Sequence, residues 1–174
     1  MNTKAPSTWL FDLGNSRLKG ALLTHKDLAQ RFALGWDAPD FDTALREKLA
    51  AWPAPSRVLV ASVAAPARAA RLRGALLALR GLEPEWLRSP RAGCGIVNSY
   101  RAPERLGIDR FLAMAAARAA VDDDPVIVIG CGTALTLDAV DAEGLHRDGL
   151  IAPSPALMID SLRCATAIGS ANSQ

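Results

Sequence analysis

Three short segments combine glycine with the carboxylate, amide and hydroxyl side chains that handle phosphate. The first is Asp12–Lys19, which reads Asp-Leu-Gly-Asn-Ser-Arg-Leu-Lys. Glycine lets the backbone turn tightly and come close to a ligand, and exposed N–H groups at such a turn can hold phosphate oxygens. The Asp12 carboxylate could bind Mg²⁺, and Lys19 could neutralise a phosphate during its transfer. The alternative is a hairpin turn whose polar side chains satisfy their own backbone.

The second segment is Gly130–Thr136, Gly-Cys-Gly-Thr-Ala-Leu-Thr, which follows an apolar run. Its glycines and threonines predict a second phosphate loop like the first, and the alternative is a hairpin between two core strands. Two such loops in equivalent places would form a cleft that closes on the phosphates of a nucleotide from both sides.

The third segment is Gly107–Arg110, at the start of a predicted helix. Asp109 could be an ordinary N-cap, or it could orient an alcohol and accept its proton. Arg110 could hold a carboxylate or a phosphate. Tyr100 is the single tyrosine of the chain; it could cover an amphipathic substrate, although an ordinary surface or core position is equally consistent.

The remaining candidate residues predict no further site. His25 and His146 are isolated and are expected at surface or turn positions. The cysteines Cys94, Cys131 and Cys164 are far apart and lack metal-ligand spacing, which favours free thiols. The four tryptophans are spread along the chain and are expected in packing.

Apolar periodicity predicts the elements that must position these segments. We expect strands at 8–11, 17–23, 28–34, 57–63, 86–87, 126–129 (buried), 134–140 and 150–152, and helices at 40–51, 66–79, 109–121 and 155–164. Asp40 is the expected N-cap of the first helix, and Pro66 suits the first turn of the second. The segment 91–103 is expected to be a loop, and the tail 165–174 to fray.

The order strand–turn–strand–strand–helix occurs twice, beginning at Trp9 and again at Val126. This is a weak internal repeat. The polar break Asp122–Pro125 lies between the two copies. We therefore predict two lobes, 1–122 and 123–174.

Charge and hydropathy exclude two classes of partner. Twenty Lys and Arg against 18 Asp and Glu give a net charge of +2, and with 5% aromatic residues nothing favours nucleic-acid binding. The longest apolar runs, 58–67 and 125–131, are too short to cross a bilayer, and the first residues lack the apolar core of a signal peptide. We expect a cytoplasmic protein with no membrane partner.

The three segments, in this order and spacing, resemble the type III pantothenate kinase family. Its motifs are Asp-x-Gly-Asn-Ser/Thr-x-x-Lys, Gly-x-Asp-Arg and Gly-Thr-Ala-x-Thr. The matching residues are Asp12, Gly14, Asn15, Ser16, Lys19, Gly107, Asp109, Arg110, Gly132, Thr133, Ala134 and Thr136, with Tyr100 at the place of a family aromatic. The resemblance covers the chain from Trp9 to about Thr166.

The resemblance implies an α/β fold, namely the duplicated ribonuclease H-like fold of actin, Hsp70 and sugar kinases, with mixed sheets. It implies ATP-dependent phosphorylation of pantothenate to 4′-phosphopantothenate, the first step of coenzyme A synthesis, in a homodimer. The implied ATP-binding residues are Asp12 (also with Mg²⁺), Leu13, Gly14, Asn15, Ser16, Arg17, Leu18, Lys19 and Thr133. The implied pantothenate-binding residues are Tyr100, Gly107, Ile108, Asp109 and Arg110, with Asp109 as the proton acceptor.

Two positions depart from the family pattern. Many members use K⁺ or NH₄⁺ through an acidic residue, and Gly130 stands at that place here. The family segment Gly-Gly-x-Ile-x-Pro-Gly reads Asp148-Gly149-Leu-Ile-Ala-Pro-Ser154, so the turn at Ser154 is expected to differ.

Family chains are longer than this sequence. On the resemblance we interpret the chain as truncated at its C-terminus, with an incomplete second lobe. Besides the active kinase, two alternatives stay open: a catalytically impaired member and an accessory or regulatory protein.

Overall fold

The computed structural model describes residues 7–25, 27–121 and 124–166. The chain divides into two compact units between Arg88 and Ser89. This division lies ahead of the lobe boundary predicted at 122/123, and the lobe limits 1–122 and 123–174 stay a prediction. Each unit is considered by itself below.

Unit 1 is built on a five-stranded mixed sheet. Its elements are β1 (Ser7–Leu13), β2 (Arg17–Thr24), β3 (Asp27–Gly35), α1 (Phe41–Ala51), β4 (Arg57–Ser62), α2 (Pro66–Arg80) and β5 (Glu85–Trp86). The sheet order is β3-β2-β1-β4-β5. Strands β1, β2 and β3 pair antiparallel, whereas β4 and β5 run parallel to β1. The predicted hairpin, third strand and edge strand are confirmed.

The core of unit 1 follows from the two periodicities of its elements. Alternate β1 residues, Trp9, Phe11 and Leu13, are buried on one face of the sheet. Helix α1 buries Phe41, Leu45 and Leu49, as predicted from their spacing. Three tryptophans are buried: Trp9, Trp36 and Trp52. The N-cap prediction for Asp40 holds for its position only, since its side chain makes no capping hydrogen bond.

Unit 2 combines a small hairpin, a long helix and a three-stranded sheet. Its elements are β6 (Ala92–Gly93), β7 (Ile96–Val97), a 3-10 turn (Pro103–Arg105), α3 (Ile108–Ala120), β8 (Val126–Cys131), β9 (Ala134–Val140), β10 (His146–Pro153) and α4 (Pro155–Ala165). The segment predicted as a loop therefore contains the hairpin β6–β7. Most of the tail expected to fray, 167–174, lies outside the described residues.

The unit 2 sheet has the order β10-β9-β8, and α3 packs on it. Alternate β8 residues are half-buried, whereas Ile127 and Ile129 are 70% and 60% exposed. The strand predicted at 126–129 is therefore confirmed, but the prediction that it is buried is wrong. One of its faces carries Ile127 and Ile129, and no other part of the described chain covers that face.

The predicted internal repeat is present in the structure. The succession β1-β2-β3-α1 in unit 1 has its counterpart β8-β9-β10-α4 in unit 2. The turn at Ser154 was expected to differ from that of the family, which has glycine there. Ser154 is the N-cap of α4, and its side chain accepts a hydrogen bond from the N–H of Leu157. Its φ of −66° is open to any residue, so no glycine is required there.

Candidate functional site

Asp12 and Lys19 lie opposite each other on the hairpin that unit 1 builds from β1 and β2. They are register partners, so their side chains leave the same face of the sheet. Lys19 Nζ donates to Asp12 Oδ2 at 2.9 Å. Their side chains are 60% and 41% exposed, and an exposed pair adds little to stability. The pair thus sets a carboxylate and an ammonium side by side next to the Gly14–Ser16 turn.

Neighbouring side chains hold the carbonyl groups of that turn. Trp36 Nε1 donates to the carbonyl of Gly14 at 2.9 Å, and the Trp36 N–H donates to the carbonyl of Ser16 at 3.3 Å. Arg68, which lies over the Trp36 ring, donates to the carbonyl of Asn15. In a trans peptide the N–H and C=O point in opposite directions. The N–H groups of Asn15 and Ser16 therefore point away from the groups that bind the carbonyls of Gly14 and Asn15.

Gly14 is not required by the hairpin itself. Its φ is outside the left-handed region, and a Cβ atom there would meet only the carbonyl of Arg17, at an ordinary 3.5 Å. The expectation that this glycine makes a tight turn possible is therefore wrong. A glycine that the fold does not need is consistent with close approach of a ligand to the backbone.

The other predicted ATP-binding residues are of two kinds. Asn15, Ser16 and Arg17 are exposed, so a ligand could reach these residues. Leu13 and Leu18 are fully buried in the core. For these two leucines, a ligand contact through the side chain is excluded in this structure.

Four of the residues predicted to bind pantothenate, 107–110, lie at the start of α3. Gly107 occupies the N-cap position and Ile108 is buried. Asp109 lies inside the first turn and is exposed, and its Oδ1 accepts a hydrogen bond from the N–H of Arg110 at 2.9 Å. The N-cap alternative for Asp109 is therefore wrong. Its carboxylate is presented to solvent from a rigid element.

Arg110 was expected to offer its guanidinium to a substrate, but most of that group is already engaged. Its Nε donates to Asp138 Oδ2 at 2.9 Å and its Nη2 donates to Asp138 Oδ1 at 2.5 Å. The side chains are 7% and 2% exposed. The hydrogen bonds to Asp138 raise the pKa of Arg110 against the opposing effect of burial, so the guanidinium stays charged.

Tyr100 and His146 complete this cluster in unit 2. The remaining Arg110 nitrogen, Nη1, donates to Tyr100 Oη at 3.2 Å. The Tyr100 ring stacks on the His146 ring with centroids 5.8 Å apart and 14° between planes. His146 is fully buried, with Nε2 2.9 Å from Asp138 Oδ1. The surface or turn position expected for His146 is therefore wrong, whereas His25 is exposed in the β2–β3 turn as expected.

The second predicted phosphate loop is the β8–β9 turn. Gly132 and Thr133 are exposed there, and the N–H of Gly132 donates to the carbonyl of Ala134 at 3.0 Å. Gly130 pairs with Thr136 across the strands, and a Cβ atom at Gly130 would lie 2.4 Å from Thr136 Oγ1. The glycine is thus matched to its cross-strand neighbour, and a side chain there would require Thr136 to move.

The donor groups set limits on metal binding. Within the residues described, no cluster of three or more His, Cys, Asp or Glu could hold a metal ion. Mg²⁺ at phosphate sites usually takes one or two carboxylates together with phosphate oxygens and waters. The single exposed carboxylate of Asp12 fits that pattern. All three cysteines are free and exposed.

Four residues of these clusters were missed in the sequence: Trp36, Arg68, Asp138 and His146. Asp138 had a usable signal, because it is an acid in an apolar strand at the alternation of Thr136 and Val140. Trp36 and Arg68 are far in sequence from the turn that they contact, and His146 is far in sequence from Tyr100. Their positions depend on tertiary packing that a local pattern does not encode.

Solved structures establish the fold. A Campylobacter jejuni protein described as a conserved Baf family transcriptional activator matches 91% of this chain and 61% of its own, with a TM-score of 0.51 and 19% identity. An Aquifex aeolicus Ppx/GppA phosphatase matches 90% of this chain and 55% of its own, with a TM-score of 0.50 and 12% identity. At these identities the likeness concerns the fold alone, which is that of actin and the sugar kinases. None of the described helices is long and apolar enough to span a membrane.

Sequence relatives establish the family. A protein of Xanthomonas oryzae pv. oryzae (strain PXO99A) named type III pantothenate kinase is 45% identical over 156 residues. A Xanthomonas campestris pv. campestris (strain B100) protein of the same name is 44% identical over 158 residues. The alignments cover 90% of this chain and 62% of each relative, so the chain spans under two thirds of their length. The family model for type III pantothenate kinase matches residues 9–170. The chain belongs to the type III pantothenate kinase family.

Proposed function

We propose that this chain transfers the γ-phosphoryl group of ATP to the primary hydroxyl of pantothenate. Membership of the family carries this proposal. The arrangement of unit 2 supports it, because an exposed carboxylate, Asp109, directly precedes the buried Arg110 that reaches Tyr100. The Asp109 carboxylate could accept the proton of a hydroxyl substrate, and the Tyr100 hydroxyl held by Arg110 could donate to an oxygen of that substrate.

The proposed chemistry is a direct in-line displacement. The pantothenate hydroxyl oxygen forms the new bond to the γ-phosphorus while the bond to the β–γ bridging oxygen breaks, and ADP leaves with that electron pair. The hydroxyl proton passes to the Asp109 carboxylate. Positioning of the reactants and stabilisation of phosphate charge supply most of the rate enhancement.

The β1–β2 turn is the proposed phosphate site of unit 1. The N–H groups of Asn15 and Ser16 would contact phosphate oxygens, and Lys19 would compensate their charge. Asp12 would hold Mg²⁺, which supplies charge neutralisation when bound with the nucleotide. By the family resemblance, Thr133, which is exposed in the β8–β9 turn, is a further proposed ATP-binding residue.

Further proposals follow from the resemblance. The chain would act in the cytoplasm and as a homodimer, and the exposed Ile127, Ile129 and Leu150 give it apolar surface for association. A K⁺ or NH₄⁺ requirement would have to be met without a side-chain ligand at position 130, since Gly130 has none. Sedimentation checks the proposed homodimer, and a titration of ADP release with each cation checks the cation requirement.

The test is ADP release by the purified chain with Mg-ATP, in the presence and absence of pantothenate. Release that depends on pantothenate, together with 4′-phosphopantothenate as the product, supports the kinase. A folded chain that releases no ADP overturns the proposed activity and favours the impaired or the regulatory alternative.

A further inference from the structure

The Arg110–Asp138 pair fixes the direction in which Arg110 points its last donor. Nε and Nη2 form one edge of the planar guanidinium, and both bind the Asp138 carboxylate. A two-bond pair fixes orientation as well as distance. Nη1 is therefore held in one place, where it donates to Tyr100 Oη. Rotation of Arg110 away from Tyr100 would break both bonds to Asp138.

The contact with Arg110 gives the Tyr100 hydroxyl a direction as well. A phenolic oxygen that accepts one hydrogen bond can still donate its own hydrogen. Because Arg110 supplies the donor at Tyr100 Oη, the Tyr100 hydrogen is directed to another acceptor. A carboxylate or carbonyl oxygen of a bound molecule is such an acceptor.

His146 packs against both Tyr100 and Asp138. Its ring stacks on Tyr100, and its Nε2 lies 2.9 Å from the same Asp138 oxygen that binds Arg110 Nη2. The geometry of that contact does not make a hydrogen bond, so in the described structure both ring nitrogens lack a bonded partner. A fully buried imidazole without bonded partners is costly. His146 touches both Asp138 and Tyr100 and so restricts the movement of each.

Gly149 leaves the space that the pair occupies. It lies directly opposite Asp138 in the β9–β10 register. A Cβ atom at Gly149 would fall within van der Waals overlap of Arg110 Nη2 and of Asp138 Oδ1, at 2.1 Å and 2.4 Å respectively. A methyl group at position 149 would therefore push the pair apart without changing a charge.

We propose that Asp138, His146 and Gly149 are positioning residues of the pantothenate site, which act through Arg110 to direct the Tyr100 hydroxyl at an acceptor oxygen of the substrate. This inference rests on the proposed function, which places Arg110 and Tyr100 in that site. It assigns Arg110 mainly to orientation, because two of its donors are committed to Asp138.

The experiment disturbs the pair in two independent ways. Asp138→Asn removes the charge and keeps the shape, whereas Gly149→Ala keeps every charge and removes the space. Each has a matched control in unit 1. Asp42→Asn makes the same change in the two-bond pair of Asp42 with Arg71, and Gly74→Ala adds a Cβ where nothing lies within 4 Å.

The first readout does not depend on substrate. Because Tyr100 is the single tyrosine, ¹³C-labelled tyrosine gives ring resonances from this residue alone. Asp138→Asn and Gly149→Ala should shift these resonances, and the two controls should leave them unchanged. The second readout is equilibrium binding. Both test variants should raise the dissociation constant for pantothenate at least about tenfold and leave that for a non-hydrolysable Mg-ATP analogue unchanged.

Each other outcome has a defined meaning. Unshifted Tyr100 resonances, or shifted resonances with parental pantothenate affinity, overturn the inference. Failure of both test variants to fold also overturns it, since the pair would then serve the fold. If the parent chain does not bind pantothenate, the proposed function fails, and the Tyr100 resonances alone decide whether the pair positions that hydroxyl.

Discussion

Arg110 on α3 and Asp138 on β9 form an ion pair with two hydrogen bonds, and both side chains are more than nine-tenths buried. The attraction within such a pair offsets the free-energy cost of removing both groups from water, but only while both partners are present. We expect Asp138→Leu alone to lower the free energy of unfolding by about 3–5 kcal/mol, because it leaves Arg110 buried and uncompensated. The double variant Arg110→Met/Asp138→Leu should recover most of that loss. Urea unfolding of the parent chain, the single variants Asp138→Leu and Arg110→Met, and the double variant measures the coupling.

The control for this cycle is Glu85→Gln. Glu85 also forms a two-bond pair, with Arg57, but on the surface. Because solvent screens that pair, we expect little change in stability. Equal losses in Asp138→Leu and in the double variant would contradict the prediction, since the removed packing and not the unpaired charge would then explain the effect.

The sequence predicted the elements more completely than the contacts. Strands and helices followed from periodicity, as in α1, where Phe41, Leu45 and Leu49 are all buried. The strand at Val126–Ile129 was also predicted correctly, but its predicted burial was wrong, because an apolar run carries no information about whether a second layer covers it. Periodicity reports which residues share a face, and the cover of that face depends on elements distant in the chain.

In the candidate site too, the sequence predicted individual residues better than the contacts between them. The three motifs located Asp12, Asp109 and Thr133 through their glycine and polar neighbours. The contacts of Asp138 and His146 could not be assigned, because Asp138 contacts Arg110 across 28 positions of the chain and His146 contacts Tyr100 across 46. A lone buried histidine and a lone exposed one have the same appearance in a sequence.

Gly14→Ala separates ligand binding from folding at the β1–β2 turn. The added methyl group meets only the carbonyl of Arg17, at an ordinary contact distance, and the φ of Gly14 suits alanine. We therefore expect parental thermal stability. If a phosphate lies against this backbone, the methyl group will weaken binding of Mg-ATP, which isothermal calorimetry measures. Unchanged nucleotide affinity would show that no ligand approaches Gly14 closely.

Trp36→Phe tests whether the turn needs its indole support. Trp36 Nε1 donates to the Gly14 carbonyl, and phenylalanine removes that donor while it keeps an aromatic ring next to Phe41. We expect a loss of stability that includes about 1 kcal/mol for the hydrogen bond, together with weaker nucleotide binding. The measurements are urea unfolding and calorimetric binding of Mg-ATP.

Trp9→Phe is the matched control for that variant. Trp9 is also buried and also donates through Nε1 to a backbone carbonyl, that of Pro53. It should lose comparable stability and keep parental nucleotide affinity, because Pro53 is not part of the turn. If both variants bind nucleotide equally weakly, the effect comes from general loss of stability.

Asp12→Asn tests the proposed Mg²⁺ ligand. Asparagine retains an oxygen that can accept the hydrogen bond of Lys19 but removes the charge that attracts the cation. We expect ADP release to require a higher Mg²⁺ concentration, with a smaller effect on pantothenate affinity. Asp42→Asn, an exposed aspartate of α1, is the control and should leave the Mg²⁺ dependence unchanged. The same Mg²⁺ dependence in parent and Asp12→Asn would remove Asp12 from this role.

Asp109→Asn tests the proposed proton acceptor. The amide oxygen of asparagine can still accept the hydrogen bond from the N–H of Arg110, so the start of α3 should remain folded. The amide cannot take the hydroxyl proton of pantothenate, so we expect a loss of turnover of about 10²–10⁴-fold. Nucleotide affinity should stay unchanged, because the proposed nucleotide contacts lie on other elements. Glu104→Gln, which neutralises an exposed carboxylate in the 3-10 turn before α3, should keep parental turnover. Near-parental turnover in Asp109→Asn would mean that another group, or solvent, receives the proton.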